Sequence, residues 1–305
     1  MDDRLAHGEF SLRQLAHFVA VAEEGTISAA AERLFMSQSA VSASVTELER
    51  ALGADLCVRR RAQGVFLTPM GKLLLERARR LLAEAAELTY AVRGDGTGLV
   101  GPLVVGCFVT LGPTVLPQLL AEFGQLHPRV TVDFVEGAQD QLKDELLAGE
   151  IDVAVLYDMG QLDDLDRIVL YEPRGYAVLG EGHPLAGQPT VTLEQLAVEP
   201  LVLFDQPPST TYALSLFEAR GLVPNVRHRT RTYELTRSIV ARGIGYAIFV
   251  QRPANKLSYE GLPILEKEIE PPVPACPVIL AWPRDGRLSP RVAALAELAR
   301  RQYPR

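Results

Sequence analysis

Apolar residues along the first ninety positions recur every three or four residues, the spacing that lines one face of a helix. Ser11 and Gln14 have the spacing of a capping box, in which each side chain satisfies the other's free backbone N–H. Leu12, Leu15, Phe18, Val19 and Ala22 follow on one face, and Gly25 ends the run. Ser28 can cap a short second helix that turns Ala30, Ala31 and Leu34 inward, the alanines letting a neighbouring helix approach closely. Ser37 can cap a third helix, running to about Leu52 and stopped by Gly53. There Val41, Val45, Leu48 and Leu52 form an apolar stripe, with Gln38, Ser42, Thr46 and Glu49 on the opposite side. Two short helices, a tight turn and a small polar outer face have the form of a helix-turn-helix that enters the major groove of DNA. Taken alone, the pattern also fits a solvated amphipathic helix.

The next segment narrows that choice. Leu56-Cys57-Val58-Arg59, followed by Arg60-Arg61 and the turn at Gly64, predicts a basic hairpin whose Val65 and Leu67 alternate as strand residues do. Such a wing can touch flanking phosphates or the minor groove. From Pro69, suited to a first helical turn, a long helix is predicted to about Arg93. Leu74, Ala78, Leu81, Ala85, Leu88 and Val92 alternate steps of four and three, a heptad seam for a partner helix. A helix packed on its own domain is the alternative. Gly94 to Gly98 forms the one obvious linker. Its overlap with a G-x-G-x-x-G pattern at Gly96–Gly101 is rejected, because a dinucleotide site needs the glycines after a strand and before a helix, and here the order is reversed.

Beyond the linker, strand and helix alternate. Leu103–Cys107, a helix from near Pro113, Val130–Val135, a helix over Gln139–Ala148 and Ile151–Leu156 predict a mostly parallel sheet covered by helices. A second set follows: Gly175–Leu179, Leu201–Phe204, helices through Tyr212–Ala219 and Glu234–Ala241, and the strand Gly245–Val250. Pro277–Trp282 and the helical Arg291–Arg301 close the chain.

Composition and charge refine this picture. The 305 residues allow two ordinary domains and are 48% hydrophobic and 23% charged, as in soluble globular proteins. No run approaches the roughly 18 apolar residues of a membrane helix, and the start Met1-Asp2-Asp3-Arg4 lacks the features of a secretory signal. A cytoplasmic protein that does not engage membranes is expected. The net charge of −7 resides wholly in residues 95–305; residues 1–94 are neutral and carry the Arg59-Arg60-Arg61 run. Phosphate neutralisation depends on local charge, so an acidic total does not exclude DNA. Cys57, Cys107 and Cys276 are odd in number and far apart, which argues against a disulfide framework or a zinc site, and no metal or other cofactor is expected.

Ala30-Ala31-Glu32-Arg33-Leu34, Ser37-Gln38-Ser39-Ala40-Val41-Ser42, Leu48-Glu49 and Leu67-Thr68-x-x-Gly71, in this order and spacing, resemble the LysR-type transcriptional regulators. Glu136-Gly137, Leu142, Leu146, Gly149 and Ile151-Asp152-Val153-Ala154 are similar to the sensor domain of the same family, whose fold is like that of periplasmic solute-binding proteins. The resemblance implies an all-α winged helix-turn-helix over residues 1–68, a linker helix with dimerisation role and hinge over 69–94, and a two-lobed α/β effector-binding domain over 95–305. Lobe I would hold about 95–168 and 269–305, lobe II about 169–268, with crossover strands near Ile168–Glu172 and Ile264–Ile269. It further implies that Gln38, Ser39, Ser42, Ala43 and Thr46 face bases or nearby phosphates, while Arg33, Arg59 and Arg61 hold the DNA backbone. Ala43-Ser44-Val45 supplies few long donors, so shape readout and the wing carry more of the specificity. The implied partners are double-stranded promoter DNA, RNA polymerase, a small-molecule effector and a second copy of the chain in a homodimer, or a tetramer as a dimer of dimers. Between the lobes, Thr110, Ser209, Thr210 and Thr232 are the expected polar contacts, with Tyr157 and Phe204 as walls. Helix N-termini there suit a small carboxylate or an aromatic acid.

Two other classes are weighed. An enzyme on the same fold is opposed by the lack of H-E-x-x-H spacing among His7, His17, His127, His183 and His228, and of a G-x-S-x-G elbow; no catalytic residue is assigned. A solute-binding protein for transport is opposed by the missing signal and the fused DNA-binding module.

Overall fold

The computed structural model describes residues 10–60, 64–93, 98–160, 162–284 and 288–303. The chain divides into two compact units, one of Met1–Gly98 with Leu147–Glu150 and the other of Leu99–Leu146 with Ile151–Arg305.

In the first unit the expected capping box forms at the start of α1 (Leu12–Glu24): Ser11 Oγ accepts from the Gln14 N–H at 3.2 Å, and Gln14 Oε1 accepts from the Ser11 N–H at 2.7 Å. α2 (Ile27–Arg33) is capped by Thr26, whose Oγ1 accepts from the Ala29 N–H at 3.2 Å, and not by Ser28. Thr26 directly precedes the first helical residue, so its hydroxyl is the one that reaches the unpaired N–H groups. α3 (Gln38–Leu52) runs from Ser37 to Gly53 as predicted. Phe18, Val21, Ala30, Val41 and Leu48 are fully buried where the three helices meet. β1 (Cys57–Arg60) and β2 (Gly64–Leu67) pair antiparallel, and the Val65 N–H donates to Gly25 O at 2.7 Å, tying the hairpin to the end of α1. α4 (Pro69–Arg93) then runs for 25 residues.

The turn between α2 and α3 contains a backbone exception. Phe35 sits at φ 53° with its side chain 96% exposed. A bulky residue in the left-handed region is strained by about 1–2 kcal/mol, and this one packs on nothing in return. Phe35→Gly is therefore expected to stabilise the first unit by about 1 kcal/mol, read as a higher urea midpoint with an unchanged slope.

The second unit comprises, in chain order, β3 (Gly101–Phe108), α5 (Gly112–Leu126), β4 (Val130–Gly137), α6 (Gln139–Ala148), β5 (Val153–Tyr157), β6 (Leu165–Tyr171), β7 (Tyr176–Gly180), β8 (Thr190–Val191), α7 (Leu193–Val198), β9 (Pro200–Phe204), α8 (Ser209–Glu218), β10 (Asn225–Thr230), α9 (Tyr233–Ala241), β11 (Tyr246–Phe249), β12 (Ile264–Ile269), β13 (Val278–Pro283) and α10 (Pro290–Gln302). They build two sheets, β4-β3-β5-β13-β6 and β10-β9-β11-β7-β12-β8. β3 pairs parallel with β4 and β5, while β13 runs antiparallel to β5 and β6. Each sheet is one lobe.

The crossings lie a few residues away from the predicted ones. β6 hydrogen-bonds to β13 through Tyr171, and β12 pairs with β7 and β8, so each strand stays wholly within one sheet. The chain passes between lobes over residues 172–175 and 270–277, where Arg174 and Ala275 form an isolated antiparallel bridge. Alternating side chains mark β6 and β12 as strands; only pairing decides which sheet receives them.

Candidate nucleic-acid interface and interlobe site

On α3, Val41, Val45 and Leu48 are buried and Leu52 is half-buried. Gln38, Ser39, Ala43 and Thr46 are exposed, and Ser42 is half-buried between them. The helix is held in this orientation from two sides. His17 on α1 meets Ser44 Oγ through Nδ1 at 2.8 Å, and burial, with Arg13 nearby, lowers the pKa of its imidazole. Glu49, which the pattern places on the outer face, instead turns toward the hairpin: its Oε1 accepts from the N–H groups of Leu56 and Cys57 at 2.9 and 3.0 Å. It is a clamp between α3 and the β1–β2 hairpin, and its sequence signal is its place in the Leu48-Glu49 motif.

The basic residues fare unequally. Arg33 Nη1 bonds Glu23 Oε2 at 2.7 Å and Glu24 Oε1 at 3.2 Å, and both acids hold its guanidinium more firmly protonated than usual. Within the protomer its charge is matched by these two acids while its side chain stays half exposed. Arg59 lies on β1, but its side chain falls outside the described residues, as does the whole of Arg61.

The predicted seam of α4 divides. Ala78 is fully buried in the first unit's own core, with Leu74, Leu75 and Leu82 packed against it. Leu81 is 41% exposed and Leu88 70% exposed, with Ala85 half-buried between them. Of the seam positions, Leu74 and Ala78 thus pack on their own domain, the alternative weighed from sequence, while Leu81 and Leu88 turn away from it. The side chain of Val92 lies outside the described residues.

Between the two lobes the structure joins part of the predicted set to residues that sequence reasoning missed. Thr110 Oγ1 and the Tyr157 hydroxyl lie 3.2 Å apart, both buried, with Tyr157 edge-on to Phe108. Gln139 fixes the Tyr157 backbone, donating to its O at 3.0 Å and accepting from its N–H at 2.9 Å. Phe204 is a core residue packed with Tyr176, Val178 and Phe249, and Val109 from lobe I leans on this cluster. Thr210 Oγ1 bonds Phe204 O at 3.1 Å. Ser209 opens α8 half-buried, while Thr232 is exposed at the start of α9 with its side chain capping nothing. The missed residue is Gln251, just after β11. Its Oε1 accepts from Thr114 Oγ1 at 3.3 Å and Tyr171 OH at 3.0 Å, and its backbone O accepts from Tyr176 OH at 2.7 Å and Tyr233 OH at 2.8 Å. Burial raises the titration of Tyr157, Tyr171, Tyr176 and Tyr233 well above the ordinary phenol range, so all four remain O–H donors.

Among the described residues no group of three or more His, Cys, Asp or Glu is placed to hold a metal, and no helix is long and apolar enough to cross a membrane. Cys107 and Cys276 are buried; burial, with Asp158 nearby, pushes the Cys276 thiol up to about 12.

A winged helix-turn-helix followed by a two-lobed α/β domain is the architecture of a ligand-responsive DNA-binding regulator. Residues 12–72 match the bacterial regulatory helix-turn-helix protein, lysR family, and residues 96–304 match the LysR substrate binding domain; the chain belongs to the LysR family of transcriptional regulators. It is 27% identical over 267 residues to the uncharacterized HTH-type transcriptional regulator YvbU of Bacillus subtilis (strain 168), covering 86% of this chain and 89% of that protein. HinK, a LysR family transcriptional regulator from Pseudomonas aeruginosa, is 32% identical with a TM-score of 0.65, covering 96% of this chain and 99% of that one. Full-length CbnR, solved in complex with its target DNA, is 26% identical with a TM-score of 0.56 over 96% of this chain and 100% of that one.

Proposed function

We propose that the chain binds promoter DNA through the outer face of α3 and is controlled by a small-molecule effector held between the lobes of its second unit. The observation that carries the DNA half is that Gln38, Ser39, Ala43 and Thr46 are exposed while Val41, Val45 and Leu48 on the other side are buried. Gln bonds adenine edges, Ser and Thr meet bases or phosphates, and an alanine methyl packs on thymine. Arg59 and Arg61 of the wing supply phosphate contacts, and Arg33 joins them only by leaving Glu23 and Glu24. Two heads on one duplex need a fixed separation. A second copy paired through Leu81 and Leu88 supplies it, and the effector alters access of RNA polymerase by favouring one assembly over another.

Catalysis is not part of this reading. The buried thiols and the hydroxyls gathered around Gln251 are protonated at neutral pH, and no activated nucleophile stands among them. Pure protein is expected to bind its effector without turnover.

The test is a footprint on duplexes that the full chain itself selects from a random pool. Residues 95–305 alone are expected to leave no footprint while retaining effector binding. Sequence-specific protection by that fragment would refute the assignment.

A further inference from the structure

Gln251 bonds both lobes, lobe II through its backbone and lobe I through its side chain. Its backbone carbonyl is held by two lobe II tyrosines, its side-chain oxygen by Thr114 and Tyr171 of lobe I, and the residue is only 5% exposed. Its Nε2 is buried and makes no hydrogen bond. The Tyr157 hydroxyl lies beside the amide, and its interaction with Gln251 offsets part of the burial that raises the tyrosine's titration. A buried donor without an acceptor is unfavourable, and the position beside Thr110 and Tyr157 is where a bound molecule would supply one.

The charge around this position is equally informative. Thr110, Thr114, Tyr157, Tyr171 and Gln251 are all uncharged. Arg252 stacks over the Tyr176 ring at 4.1 Å, but both ends of its guanidinium are paired with Glu268, at 2.6 and 2.9 Å. The start of α5, whose free N–H groups would attract an anion, is already faced by a carboxylate: Glu136 packs on Gly112 so closely that a Cβ there would meet its Oε1 at 2.4 Å. A ligand carboxylate buried beside Gln251 would meet only uncharged groups in Thr110, Thr114, Tyr157 and Tyr171, and a like charge at the start of α5.

We propose that Gln251 is the effector-reading residue and that the effector is an uncharged molecule presenting a hydrogen-bond acceptor, such as an amide, alcohol or ketone. This replaces the small acid expected from sequence and rests on the interlobe reading given above. An acceptor on Nε2 leaves the Oε1 contacts to Thr114 and Tyr171 in place, so one amide holds the ligand and the lobe I contact together.

The test uses the full chain and matched probes differing only in charge: nicotinamide and nicotinate, benzamide and benzoate, salicylamide and salicylate, with a set of polyols and nucleosides added. Thermal shift and calorimetry are expected to find binding only among the uncharged probes, with affinity at least tenfold weaker in Gln251→Met and less affected in Tyr171→Phe. A carboxylate that binds better than its amide, or a panel in which no uncharged probe binds, overturns the proposal, and neither result needs a variant that folds. Hydrogen exchange with the bound probe separates the two readings. Protection at residues 110–114, 157, 171 and 251 by an acid insensitive to Gln251→Met sinks only the uncharged-ligand inference. Protection confined to other segments sinks the interlobe site itself.

Discussion

Gly71→Ala is expected to destabilise the first unit by about 3 kcal/mol and to abolish DNA binding with it. A Cβ at Gly71 would lie 2.1 Å from Leu56 O and 3.0 Å from Leu56 C, and both are backbone atoms that no rotamer change can move aside. The same carbonyl accepts from the Thr68 N–H at 3.0 Å, while Thr68 Oγ1 donates to Asp55 O at 2.7 Å and accepts from the Gly71 N–H at 2.9 Å. Pushing the first turn of α4 off Leu56 therefore strains a packed contact, at roughly 1–3 kcal/mol or more, and breaks hydrogen bonds contributing about 1 kcal/mol each. It also loosens the strand that Glu49 clamps to α3. Gly124→Ala is the contrast: Gly124 lies inside α5 with no atom within 4 Å of a new Cβ, and alanine there is expected to stabilise by up to about 1 kcal/mol. Urea unfolding of both variants decides the matter. A Gly71→Ala midpoint equal to that of the parent chain would show that the contact can relax freely.

That glycine also illustrates what was legible in the sequence. Leu67-Thr68-x-x-Gly71 is visible as a motif, and the structure supplies its reason: a hydroxyl-anchored entry into α4 and a close approach only glycine permits. The three helices and most of their caps were readable because capping, helical stops and burial each leave local spacing. Thr26 was passed over for Ser28 because two hydroxyls stand near one helix start, and the choice turns on a single residue of phase. α7 was missed although Thr192 and Gln195 form a capping box there; at six residues it is too short for periodicity to speak. The seam of α4 could not be apportioned, since one heptad pattern serves the protomer's own core at Ala78 and an outer surface at Leu88. Gln251 left no local trace at all. Its partners come from four separate elements, α5, β6, β7 and α9, and only the meeting of two sheets makes a lone glutamine a junction.

Replacing Gln38 and Ser42 together by alanine is expected to remove sequence selectivity while leaving the fold and the non-specific grip intact. Gln38 opens α3 exposed, and alanine is the best helix former, so helix stability does not fall. Each well-made base contact is worth about 1–3 kcal/mol of discrimination. Losing both, about 2–6 kcal/mol together, is therefore expected to weaken binding to a selected duplex by about thirtyfold or more. Affinity for unrelated DNA depends on phosphate neutralisation by the wing and flanking cations, and its slope against salt is expected to stay unchanged. The two measurements distinguish a base-reading helix from one that merely lies near DNA. A drop in both affinities with a shallower salt slope would place these residues on phosphates; an unaltered footprint would mean that the outer side of α3 does not enter the groove, and the assignment of this face would fall with it.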